Sequence, residues 1–137
     1  MIIDKRNEFV ASQALTATAV LTDSIDLSSD RDIGVGEDLY WVINQLTIAD
    51  GVSTDETYVF TLQTDDNSGF SSPTTIATIT IPRSSPAGTR WYVSLPNTNE
   101  RYLRVNATLG GTTPSVTVQS AIVSFAPQWA ALPDAIN

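Results

Sequence analysis

Apolar and polar residues alternate along most of this chain in short runs bounded by turn residues. Between Thr57 and Thr64, Tyr58, Phe60 and Leu62 face one way, and Thr57, Thr61 and Gln63 the other. The same period of two puts Leu15, Ala17, Ala19 and Leu21 on one side of a segment Leu15–Leu21, and sets Ala77, Ile79 and Ile81 against Thr78 and Thr80. Trp91, Val93 and Leu95 alternate with Arg90, Tyr92 and Ser94. Leu103, Val105, Ala107 and Leu109 alternate with Tyr102, Arg104, Asn106 and Thr108. Successive strand side chains point to opposite faces, so the pattern predicts half-buried β-strands.

Two runs depart from it. Leu39–Ile43 is continuously apolar and then alternates through Leu46 and Ile48, which predicts a strand covered on both faces over its first half. Val116–Phe125 changes phase near Ser120, which predicts a β-bulge or a bend. Ile25 and Leu27 suggest a further short strand. Asp50-Gly51, Asp65-Asp66-Asn67-Ser68-Gly69, Pro86-Ala87-Gly88, Pro96-Asn97 and Gly110-Gly111 supply the turns. Helix is limited to one short turn within Glu8–Ala14. Pro127 and Pro133 predict an extended tail. The expectation is one all-β domain over residues 1–137, an antiparallel β-sandwich. About eight strands, with no Cys…Trp…Cys pattern, favour a jelly roll over an immunoglobulin-like sandwich. Residues 1–14 and 126–137 are expected as N- and C-terminal arms.

Composition supports this and removes chemistry. Charged residues are 16% of the chain, and the polar surface falls to 18 Thr and 14 Ser. Thr, branched at Cβ, suits a pleated surface. The net charge of −8 argues against nucleic acid and anionic membranes as partners. Residues 1–66 hold 13 acids and 3 bases, whereas residues 67–137 hold 2 acids and 4 arginines. An acidic face and a weakly basic one would follow if the halves segregate. MIIDKRNEF lacks the apolar run of a signal peptide, so cytoplasmic synthesis is expected. With no His and no Cys, the commonest general base, metal ligand and thiol nucleophile are missing. A carboxylate pair alone could support hydrolysis, but the acids sit mostly in loops and at strand ends. The expectation is a protein that is not an enzyme and takes no cofactor.

Remaining candidates concern contact. Asp65-Asp66-Asn67-Ser68-Gly69 offers hard oxygen ligands, but it lacks the EF-hand spacing and the following Glu, so an ordinary turn accounts for it. Gly34-Val35-Gly36 lacks the Lys of a phosphate loop and has acids around it. Trp41 and Trp91 lie in core phase. Trp129 stands in the Pro-flanked tail, where an aromatic is pinned to its own domain or to a neighbour. Arg83 and Arg90 flank the turn Ser84–Thr89 and could pair with acids of a neighbour. The interface candidates are therefore Ile2, Ile3, Phe9, Arg83, Arg90, Pro127 and Trp129.

The segments MIID, RDIGVGEDLYWVI, LQTDDNSGFSSPTTIAT, AGTRWYVSLP and ERYLRVN, in this order and spacing, resemble the capsid cement (decoration) proteins of short-tailed bacteriophages. The resemblance covers most of residues 1–109. It implies a jelly roll and a homo-oligomer, a dimer or a trimer. It implies a place on the outer surface of the virion head, bridging subunits of the major capsid protein. It carries over no catalytic residue. A carbohydrate-binding, lectin-like module and a tail or baseplate adaptor are the alternatives.

Overall fold

The computed structural model describes residues 4–30, 36 and 38–124. Among these described residues a 3-10 turn, Lys5–Asn7, leads into nine strands: β1 (Glu8–Leu15), β2 (Ala19–Val20), β3 (Ile25–Asp26), β4 (Leu39–Gln45), β5 (Thr57–Asp65), β6 (Thr74–Ile81), β7 (Arg90–Ser94), β8 (Tyr102–Gly110) and β9 (Val116–Ser124). They form two antiparallel sheets, in the orders β1-β9-β4-β7 and β2-β8-β5-β6, with β3 also on β8.

The topology is a jelly roll. If β2 and β3 are counted as one interrupted strand, the first strand pairs the last (β1·β9), the second pairs the seventh (β2 and β3 on β8), the third the sixth (β4·β7) and the fourth the fifth (β5·β6). The chain is thus one long antiparallel ribbon, nested hairpin within hairpin, rolled until β4 meets β9 and β5 meets β8. The rolling closes two sheets over one core.

The alternating runs supply that core. Tyr58, Phe60, Leu62, Leu103, Val105 and Ala107 are fully buried on the second sheet, as are Trp41, Ile43 and Val118 on the facing first sheet. The continuous run in β4 is covered on both faces: Trp41 and Ile43 point inward, while Val42 packs with Ala121, Val123 and Tyr40 on the outside of the first sheet. That outer cluster also corrects the reading of β9. Its register against β4 runs unbroken from Ser124 to Val118, so there is no bulge at Ser120. The apparent change of phase is apolar residues on both faces. Ser120 keeps its inward position because its Oγ accepts the Trp41 indole N–H at 3.0 Å.

The bulges lie in β1 instead, between Glu8 and Val10 and between Val10 and Gln13. They scramble the period of two, and so residues 8–14 read as arm. They are a sheet strand, and Phe9 is fully buried in the core. Leu15–Leu21 is likewise no single strand. Residues 16–18 turn the corner between the sheets, and Ala17 is exposed.

The halves of the chain do not segregate, because the nested ribbon puts early and late strands in both sheets. Charge instead gathers at one end of the sandwich. Asp23, Asp26, Asp30, Asp65, Asp66 and Glu100 surround the end where β3 and β5 finish and β8 begins. There Lys5 holds Glu8 and Asp23, each at 3.1 Å, and Arg101 grips Asp26 through Nε at 2.8 Å and Nη2 at 3.0 Å. The Arg101 fork and the Ser28 amide favour the Asp26 carboxylate and hold it down to about 2, from an ordinary 3.8. Hydrogen bonds also lower Asp55, chiefly from Thr112, and Asp65, chiefly from the Asn67 and Ser72 amides. Depressed folded values mean that this stabilisation is complete above pH ~4 and is lost as pH falls toward ~2. Melting temperature should therefore drop across that window, and Asp26→Asn should melt below the wild type at pH 6 and converge on it near pH 2. A constant gap between the two melting curves would contradict this.

Candidate functional site: the loop platform at the end opposite the described termini

The end opposite Asp4 and Ser124 is built from the corner at 16–18 and three loops, 46–56, 82–89 and 111–115. These loops share one hydrogen-bond network, and its centre is Gln45. This side chain is fully buried at the position where alternation from Trp41 and Ile43 calls for a core residue. Its Nε2 donates to the carbonyls of Thr47 (2.9 Å) and Ser85 (2.8 Å), and its Oε1 accepts from Ser85 Oγ (2.8 Å) and Trp91 Nε1 (3.1 Å). Two donors and two lone pairs are the full capacity of a glutamine. Its backbone adds bonds with Thr89 and Gly88.

The other joints are equally specific. Ala49 and Ser84–Ser85 exchange backbone bonds at 2.8 and 3.1 Å. The Arg83 guanidinium donates to the Thr54 carbonyl. Tyr58 Oη donates to the Asp50 carbonyl at 2.9 Å and accepts the Ser115 amide at 3.0 Å, tying the first loop to the third. Asp50 caps the Gly51 and Val52 amides and accepts from the Thr113 hydroxyl, and Asp55 accepts from both the amide and the hydroxyl of Thr112. Gly111 turns back with φ +99°, and a Cβ there would come within 2.7 Å of the Glu56 Cα. Thr54 and Ser84 also hold positive φ, at 64° and 61°. That conformation is costly for a β-branched residue, and it persists only where surrounding bonds over-determine it.

This rigid frame exposes apolar side chains. Leu46 is 43% exposed, Ile48 59% and Val52 85%. Leu46 and Ile48 were expected as a continuation of the strand. The structure ends β4 at Gln45, because the buried amide takes the core position and turns the chain outward. The sequence shows their apolar character but not their exposure; the signal was a Gln in core phase just before them.

The expected contact residues distribute as follows. Phe9 is core and presents no surface. Arg83 lies on the platform, exposed, with its guanidinium engaged within its own domain. Arg90 opens β7 on the exposed side, in register with Asn44. Ile2, Ile3, Pro127 and Trp129 lie outside the described residues, as does the rest of the tail 126–137. In the turn after β5, Asp65 spends both oxygens on its own backbone, at 2.8 Å to each of the Asn67 and Ser72 amides, which is the turn geometry an Asp supplies without an ion. Among the described residues no group of three or more acids is placed to hold a metal. Trp41 is buried and Trp91 turns its indole N–H to Gln45, so the described tryptophans make no exposed stacking face for a sugar. Two clefts elsewhere, of about 180 and 190 Å³, are smaller than the usual ligand pocket of roughly 300–1,000 Å³.

A family model described as Bbp16 matches residues 9–122. No curated protein matches the chain.

Proposed function

The chain belongs to the Bbp16 family, which is phage-related, and from that premise we propose that it is a non-enzymatic structural protein of the virion. It binds the outside of the phage head and bridges subunits of the major capsid protein, with the loop platform as its contact surface. The observation that carries the reading is the exposed trio Leu46, Ile48 and Val52 on loops locked by the Gln45 network. Loops already fixed in one conformation lose little entropy on docking. Covering such a side chain removes apolar surface from water, at most about 1.5–3 kcal/mol for one that goes from fully exposed to fully buried.

Other features agree. The chain has no His and no Cys, and the platform exposes Leu46, Ile48 and Val52 among polar loop residues. A protein that cements a symmetric shell needs many modest, identical contacts rather than one deep site, because repeated attachment raises the effective concentration. The tail-adaptor reading shares the fold and the inertness. Binding to undecorated heads, in preference to isolated tails, separates the two.

A further inference from the structure

The core reaches water at the end of the sandwich opposite the platform. There Ile25 and Leu27, beside the second sheet, and Leu39, Ile122, Val123 and Ser124, of the first, line a cleft of about 190 Å³. Ile25 and Ile122 belong to the main core cluster, and Leu27 and Leu39 pack against it. The cleft therefore opens onto the core, and its walls are apolar from both sheets. An apolar cavity of about 150 Å³ takes up one benzene ring. This cleft is too small for an ordinary ligand, and it has room for a single aromatic side chain.

We propose that the C-terminal segment 125–137 folds back on its own domain and seats the Trp129 indole in this cleft. The occupant follows from where the described chain stops. Ser124 is part of the wall, and the sequence continues from it as Phe-Ala-Pro-Gln-Trp. Phe125 follows the wall directly, with no residue between to reverse the chain. Four residues separate Ser124 from Trp129, enough for a reversal, and at about 3.3 Å per residue the indole stays within roughly 17 Å of the wall. So short a tether gives an effective concentration on the order of millimolar, and even a weak contact is then occupied. Pro127 restricts the undocked segment and lowers the entropy lost on docking. Charge points the same way. This end carries Asp23, Asp26 and Asp30, so an acidic partner, a second copy at net charge −8 included, is repelled from it. Segment 125–137 has one charged side chain, Asp134, and approaches without that cost. Docked there, the indole shields Ile25 and Ile122 from water and lies at the far end from the platform. The docking does not rest on the capsid reading.

The chain has three tryptophans, Trp41, Trp91 and Trp129, which makes the test direct. With 5-fluorotryptophan incorporated into the full chain, fluorine NMR gives one resonance for each, and Trp129→Phe removes one and so assigns it. The Trp129 resonance should lie away from the free amino-acid position, move little on transfer from H₂O to D₂O, and stay unchanged on dilution. Leu27→Asn, which spoils one wall, should shift it toward the free position and leave the Trp41 and Trp91 resonances in place. Trp129→Ala should lower the melting temperature by roughly 5 °C. In the Leu27→Asn background it should cost less than half of that, because the two substitutions remove the same contact. A Trp129 resonance at the free position with the full solvent shift would overturn the docking. So would a resonance that changes with concentration, which would make a second copy the occupant. Melting losses that simply add, or a resonance unmoved by Leu27→Asn, would overturn it too, by placing the indole elsewhere.

Discussion

Gln45→Leu is expected to lower the melting temperature by roughly 10 °C, a loss of about 3 kcal/mol for a domain of this size. Leucine has the volume for the site, and burial by itself would favour it. The cost lies in what it leaves behind. Ser85 Oγ and Trp91 Nε1 lose their acceptor, and the carbonyls of Thr47 and Ser85 lose their donor. Each buried polar group left unsatisfied costs about 1–3 kcal/mol, and partial rehydration of the loop end recovers some of the total. Loop 82–89 is then held to loop 46–56 mainly by the Ala49 backbone bonds and Arg83. Amide exchange should consequently speed up at residues 46–56 and 82–89, and leave β5 and β8 protected up to the new global limit. Thermal denaturation with residue-resolved exchange checks both parts. Uniform loss of protection across the sheets would show that Gln45 supports the core rather than the platform.

The second large effect concerns binding without stability. Ile48→Asp combined with Val52→Asp should weaken attachment to heads by at least about 100-fold, or roughly 2.7 kcal/mol. The two side chains are already 59% and 85% exposed, and exposed substitutions usually stay within about 0.5 kcal/mol of wild-type stability. The added carboxylates would each have to be desolvated against a partner. A titration of heads with the labelled double variant reads the affinity, and its urea midpoint reads the fold. An unchanged affinity would move the contact surface elsewhere on the molecule.

The sandwich was legible because β5, β8 and the regular part of β6 obey the period of two, and their inward residues Phe60, Val105 and Ile79 are those the alternation marks. Legibility failed where one strand serves two packings. β1 was missed because its two bulges place Phe9 and Val10 in the same core, an arrangement no fixed period describes. β9 seemed to change phase because Ala121 and Val123 are buried on its outer face. The platform was the least legible part. Its apolar residues look like core in sequence, and only the geometry of Gln45 and the positive φ at Thr54 and Ser84 turns them outward. The charge asymmetry was real in composition but mapped to an end of the molecule, since a nested ribbon mixes the two halves of the chain in each sheet.

The proposal that this phage-related chain caps a head is tested most directly by cosedimentation. Purified protein is mixed with undecorated heads and, separately, with isolated tails of the same phage, and the pelleted fraction is measured against concentration. The account predicts saturable pelleting with heads at a fixed number of copies per capsid, abolished by Ile48→Asp/Val52→Asp, and none with tails. Pelleting with tails alone, or none with heads, would contradict it.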